Sequence, residues 1–507
     1  MKNFIVHIVT IAAYSIVLIQ CSGPVSRLER ALQAAGSNRH ELEQVLCRYS
    51  SDPADSLKYK AAVFLIENMP GHSYYEGEQL DRYLEYYPVL RTMMQAGKAP
   101  QAAVDSIIGK YGIFDQSKLK FLYDVATVDS AYLCNNIEWA FKVWHEQPWG
   151  KNIPFEDFCE YILPYRVGNE TLPEWREKYY KKYNGLLDTL RTSQKTDKED
   201  PLHAALCIIN SLLRPDQIYF TTTVPADLPH VGPDMAEAKS GTCREMSDFV
   251  LYVCRALGIP CAVDYMPVRG NDNVGHFWVT LWDKTGELYF QEFGESPQIL
   301  KDSHIIRAPK AKVYRSMYGS DLDMTEKYSD HFLKSIEIPS SAIYSGHKPE
   351  TIYLCMHSRS GWIPVDSTYY RRNHIEFNNI CGGNVFRLAS KHPGKIRFQS
   401  DPFYLGCSGD LHFFKKDKGT QDITVFAKFP PAIFNSRMSG GVFEGSNDIS
   451  FRQKDTLFVI DNKPIRLFST ANITDTAKYR YIRYFGPNNG YCNVAELAFY
   501  DKYGKKL

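Results

Sequence analysis

Between Gly241 and Glu292 the chain sets three reactive residue types in a fixed order, and that order limits what it can fold into. Gly241-Thr-Cys243-Arg-Glu opens a predicted helix, with Met246, Val250, Val253, Cys254 and Leu257 following at helical spacing. Gly258 is the expected left-handed stop and Pro260 follows two residues on, so the helix is predicted over 243–257. His276-Phe-Trp-Val-Thr-Leu-Trp282 then alternates as a strand does, 33 residues after the cysteine. Glu287-Leu-Tyr-Phe-Gln returns antiparallel and ends at Glu292, 16 residues after the histidine. One helix followed by one hairpin describes a compact α+β core.

The chemistry follows from placement. A thiol at a helix N-terminus sits in partial positive charge, which favours thiolate, and the unpaired N–H groups there can bind an oxyanion. Cys243 is thus a candidate nucleophile, His276 its base and Glu292 the acid that orients the ring. Gly241 is read as a tight turn that lets backbone approach a substrate carbonyl, and Arg244 and Glu245 as exposed first-turn residues. A three-residue loop at 283–285, with Gly286 as left-handed bulge, pairs 282 with 286 and therefore 276 with 292. A loop of even length would put the two on opposite faces. Trp278 shares the histidine's face and is expected either to wall a substrate-binding site against water or to pack in the core. Asp264, Glu295 and Asp366 are rival acids; Asp366 lies in Gly361-Trp-Ile-Pro-Val-Asp366-Ser-Thr, 90 residues past His276.

Gly241-Thr-Cys243, the helix exit Arg255-Ala-Leu-Gly-Ile-Pro, His276-Phe-Trp-Val and the carboxylate 16 residues on together resemble the transglutaminase-like core, a relative of papain-type thiol proteases. The resemblance covers about 200–304 and implies a cysteine hydrolase or acyltransferase acting on amide bonds through Cys243, His276 and Glu292. The third member is usually Asp in that family; Glu is one methylene longer.

The flanks set the context. Met1-Lys-Asn-Phe and the apolar run Ile5–Ile19 read as a signal peptide over 1–20. Leu18-Ile-Gln-Cys21 resembles a bacterial lipobox, which implies lipidation at Cys21 and an exported protein anchored in the cell envelope, on its periplasmic face or at the cell surface. Residues 21–199 read as mainly helical, with helices expected near 76–96, 99–110, 116–125, 130–145 and 171–192. From 305 the pattern turns to period two, giving an antiparallel β-sandwich over 305–424 and another over 425–507. The last resembles a discoidin-like, galactose-binding-type module on Gly440-Gly-Val-Phe-Glu-Gly-Ser-Asn, Lys478–Tyr484 and Asn493–Tyr500, which implies a glycan partner. The fold class is therefore multidomain α+β, and the domain order resembles that of Bacteroidetes lipoproteins.

The 59 basic and 58 acidic residues nearly cancel and no basic tract stands out, which argues against nucleic acid as a partner. Twelve scattered cysteines, with no CxxC pair, give no zinc pattern, and no cofactor signature or metal-ligand set is read. The expected substrate is a peptide, a glycopeptide or a cell-wall peptide. The alternative is a noncatalytic glycan- or protein-binding lipoprotein that keeps the core as a scaffold.

Overall fold

The computed structural model describes residues 25–500, except 215–216, 226–227, 271–273, 294–309, 345–348, 359–360, 372–373, 393–394, 416–437, 461–470, 475–476 and 488–497. The leader, Cys21, Glu295 and most of Asn493–Tyr500 therefore lie outside the described residues.

The N-terminal helices follow their apolar periodicity: α1 (Arg27–Ala34), α2 (Arg39–Ser50), α3 (Ser56–Asn68), α4 (Glu78–Leu84), α5 (Tyr86–Gln95), α6 (Gln101–Tyr111) and α7 (Ser130–Glu146). Leu42, Val45, Leu65, Ile66, Leu133 and Ile137 from α2, α3 and α7 share one core. The helix expected near 116–125 is instead a strand between two single turns. Lys120–Tyr123 (β2) pairs antiparallel with Ser73–Glu76 (β1), and the rings of Tyr75 and Phe121 meet across the pair at 5.1 Å. Four residues with two aromatics gain more from that cross-strand contact than from one helical turn.

The core begins with α8 (Arg176–Tyr183) and α9 (Pro201–Leu212), the latter capped by Asp200, whose carboxylate accepts the Leu202 N–H. Helix α10 (Cys243–Ala256) lies at the centre, with 12 of its 14 residues buried. It is packed nearly all round, so that its polar Glu245, Ser247, Asp248 and Arg255 are buried along with its apolar face. Tyr179 and Tyr183 of α8, Leu202 and Ile208 of α9, Tyr87 and Leu90 of α5, and Val263, Val279 and Leu281 from the sheet share its core. Leu257 caps it, one residue short of the expected end. Gly258 takes φ 67°, and the Ile259 N–H closes onto the Cys254 carbonyl at 2.9 Å.

The sheet under α10 has five antiparallel strands: β3 (Ala262–Met266), β4 (His276–Trp282), β5 (Leu288–Gln291), β6 (Tyr314–Ser316) and β7 (Leu322–Asp323), in the order β5-β4-β3-β6-β7. Strands β6 and β7, expected in the next unit, thus complete this one. Their segment brings Val313, Met324 and Tyr328 to bury Met266, Trp278 and Phe290 on one face of the sheet. The opposite face, with Val263, Val279 and Leu281, takes α10.

Beyond it, β8 (Phe332–Glu337) through β15 form two antiparallel sheets. β9 (Thr351–Ser358), β10 (Gly361–Tyr369), β12 (Asn384–His392), β13 (Lys395–Phe398), β14 (Phe403–Leu405) and β15 (Leu411–Phe413) make one; β8 and β11 (Glu376–Cys381) make the other. Ile336 and Phe377 share a core with Leu354, Phe386 and Leu388. A third sheet joins β16 (Val442–Ser446), β17 (Asp455–Val459) and β18 (Tyr481–Phe485), and Arg483 pairs there with the buried Glu444 at 2.8 Å. Among the described residues, no helix is long and apolar enough to cross a membrane.

Candidate active site

Thr242 caps α10, which makes Cys243 the first helical residue. The Thr242 hydroxyl oxygen accepts the Arg244 N–H at 3.2 Å, while the Glu245 carboxylate accepts the Thr242 N–H at 2.7 Å and its hydroxyl at 2.5 Å. Glu245 is therefore not the exposed first-turn residue expected. It is buried, and Arg244 donates to it from Nε and Nη2 at 3.0 and 2.9 Å. Gly241 also has a different reason from the one expected. At φ 135°, the site where a Cβ would stand is 2.9 Å from Glu245 Cβ and Cγ, so its missing side chain makes room for the capping carboxylate. Gly241→Ala is expected to cost about 1–3 kcal/mol through strain and loss of this cap, read as a lower thermal midpoint of the purified protein.

The thiol keeps partial exposure. The backbone N–H groups of Phe277 and Arg244 lie near enough to its sulfur to favour the thiolate. The first of these belongs to the peptide that joins His276 to Phe277, so nucleophile and histidine backbone meet at the start of β4. Burial nevertheless pushes the thiol up to about 11; the Phe277 N–H opposes this, the Glu245 charge reinforces it, and the Arg269 charge opposes it. The helix end does not overcome desolvation, contrary to the depressed value expected from its position. Alkylation of Cys243 in the resting protein is thus expected to rise continuously from pH 7 to pH 10, as a raised thiol requires, and a plateau already reached at pH 8 would contradict this.

His276 opens β4 opposite Met266 and is buried. The register to β5 differs from the expected one: Trp282 pairs with Leu288 and Val279 with Gln291. The connection is 283–287, because the Asp283 carboxylate accepts the N–H groups of Thr285 and Glu287 and draws Glu287 into the turn. Loop length stays odd, so His276 and the buried Glu292 still share a face, but as diagonal neighbours. Continuing the register by one residue sets Trp278, not His276, opposite Glu292.

Trp278 does not line a surface. It is fully buried, donates from Nε1 to the Tyr328 hydroxyl at 3.1 Å, and lies 5.7 Å from the His276 ring, centre to centre. Its role is to support that ring from within the core, because residues 313–328 cover it. Asp264 shares this face but is fully engaged. Arg315 donates to it from Nε at 2.8 Å and Nη2 at 3.0 Å, Thr280 at 2.9 Å and Tyr328 at 2.5 Å. Asp366 stands on β10 in another sheet, 3.2 Å from Lys312. Among the described residues, no cluster of three or more His, Cys, Asp or Glu is arranged to hold a metal ion.

Two polar groups escaped the sequence reading. His230 Nδ1 lies 3.0 Å from the Asp248 carboxylate on α10, and Arg255 sits two turns further down the same helix. The one signal available was an aspartate and an arginine among apolar positions of a helix that is buried all round.

Residues 188–291 match the model of the transglutaminase-like superfamily. The match begins ahead of the expected boundary at 200, contains Cys243 and His276, and ends one residue before Glu292. No curated protein and no solved structure matches the chain.

Proposed function

We propose, on the premise of a transglutaminase-like superfamily domain at residues 188–291, that the chain is an exported, lipid-anchored thiol enzyme acting on amide bonds of peptides or glycopeptides. The observation that carries this reading is a helix-opening cysteine whose sulfur is influenced by the N–H of the peptide joining His276 to Phe277. In the reaction, Cys243 Sγ attacks the amide carbonyl carbon, and His276 takes the thiol proton and passes it to the departing amine. The Cys243 N–H, at the first helical position with no intrahelical acceptor, supports the oxyanion. Glu292 orients the imidazole. Water then cleaves the thioester, releasing the acid and restoring the thiol; an amine in place of water gives transamidation. Cell-wall peptides are the substrate class tried first, and a glycan is the ligand assigned to the C-terminal module.

The test is a screen of peptide, glycopeptide and cell-wall digests for mass changes that need Cys243. Identical product profiles from the parent and Cys243→Ala across the whole screen would sink the proposal. In a substrate assay, Glu292→Gln is expected to lower kcat/KM by about 10²–10⁴-fold, while Asp366→Asn stays within tenfold of the parent. The reverse pattern would move the acid to Asp366. A second reading, a noncatalytic glycan- or protein-binding lipoprotein, draws on the thiol pushed up to about 11. It requires that the screen show no cysteine-dependent product.

A further inference from the structure

A cavity of about 270 Å³ lies between α10 and the face of the sheet that carries Val263, Tyr265 and Phe277. Its aromatic walls are two stacked pairs: Tyr265 with Phe277 at 5.4 Å and 17°, and His72 with Tyr318 at 4.3 Å and 19°. Its charged and polar lining includes Arg166, His230, Asp248, Arg255, Ser316 and Asp321.

Arg255 is the unusual member. It is 6 % exposed. Nε donates to the Tyr161 carbonyl at 3.4 Å and Nη1 to the Arg166 carbonyl at 2.5 Å. Among the described residues Nη2 has no acceptor, and no carboxylate comes within ion-pair distance of the guanidinium. Its neighbour Arg166 shows the contrast: Nε and Nη2 hold both oxygens of Asp124 at 2.7 and 2.6 Å, and Nη1 donates to the carbonyls of Gly168 and Glu170. The other lining charges are engaged as well. Asp248 holds His230 Nδ1, and Asp321, at the exposed rim, accepts the Tyr265 hydroxyl at 2.5 Å. A desolvated cation without a direct ion-pair partner is costly; burial pulls the Arg255 guanidinium below its ordinary range, and Glu170 and Glu160 act on it only at longer range. His230, oriented by Asp248 through Nδ1, has Nε2 left for a ligand.

We propose that this cavity binds the free carboxylate end of a peptide, with the carboxylate on Arg255 Nη2 and His230 Nε2 and the terminal side chain between the stacked ring pairs. The volume suits one residue, and a guanidinium is the natural partner of a planar carboxylate. Phe277 joins the cavity to the thiol, since it lines one and its N–H favours the thiolate of the other. Read with the proposed thiol chemistry, on which this last step rests, the enzyme selects peptides by a chain end bound a few residues away from the scissile amide.

The test measures binding rather than turnover. N-acetylphenylalanine and its primary amide are titrated into the full-length protein by calorimetry or ligand-observed NMR. The acid is expected to bind at least tenfold more tightly than the amide. Arg255→Met and, because Arg255 also holds two backbone carbonyls of the fold, a second variant at the partly exposed His230, His230→Gln, are each expected to weaken the acid tenfold or more and leave the amide unchanged. The Cys243→Ala protein is expected to bind the acid as the parent does, so a failed screen for activity leaves this result standing. Equal binding of acid and amide, or acid binding unaffected by His230→Gln in a folded protein, would overturn the proposal.

Discussion

His276→Ala is expected to slow acylation of Cys243 by about 10²–10⁴-fold at pH 7 and to lose far less at pH 10. The sign follows from the thiol. A group pushed up to about 11 is ionised in roughly one molecule in 10⁴ at pH 7 and about one in ten at pH 10. At neutral pH the nucleophile therefore needs a base to take its proton as it attacks, and His276 is the base whose backbone meets the sulfur. As pH rises, thiolate forms without help and the value of that base falls. The ratio of parent to variant acylation rates, measured by single-turnover mass spectrometry from pH 6.5 to 10, should fall by an order of magnitude or more. A ratio constant with pH would mean that His276 acts by packing and not by moving the proton.

Arg315→Met is expected to destabilise the core by about 3–5 kcal/mol, the usual consequence of stranding one member of a buried ion pair. Asp264 is fully buried and Arg315 nearly so, with both guanidinium bonds to the carboxylate at 3.0 Å or less. Without Arg315, Thr280 and Tyr328 still donate, but the negative charge has no counter-ion on that face. Because the chain has several cores, the readout is local: the urea concentration at which the buried thiols of Cys254 and Cys261 become reactive. A midpoint within experimental error of the parent would show that the pair adds nothing. Asp264 pairs with Trp278 across β3 and β4, on the face that carries His276, so acylation should fall along with stability.

What could be read from the chain was what neighbours decide. The end of α10 at Gly258 and the start of α10 at Cys243 depend on residues within one turn, and both lie where the sequence puts them to within a residue. The parity of the hairpin was legible because it needs only an odd count. Its register was not, because the Asp283 side chain competes with backbone for the turn and shifts the pairing by two residues. The capping box of Thr242 and Glu245 was written in the sequence, yet Glu245 was read as exposed, since nothing local reveals that the whole helix is enclosed. Trp278, Asp264 and Arg255 are decided at longer range. Their surroundings come from residues 313–328 and 161–166, which no pattern ties to them beforehand.

The late arrival of β6 and β7 has a practical side for anyone cutting the molecule into pieces. A fragment ending at 304 would contain Cys243, His276 and Glu292 and span the whole matched stretch, and would still be the wrong fragment. β3 would be left with its outer row of backbone groups bare, a template for another copy to add a strand. Asp264 would lose Arg315, and Trp278 would lose its cover. Such a piece should precipitate or associate, whereas one carried through Tyr328 keeps the sheet closed on that side and is the shortest length on which to attempt soluble expression.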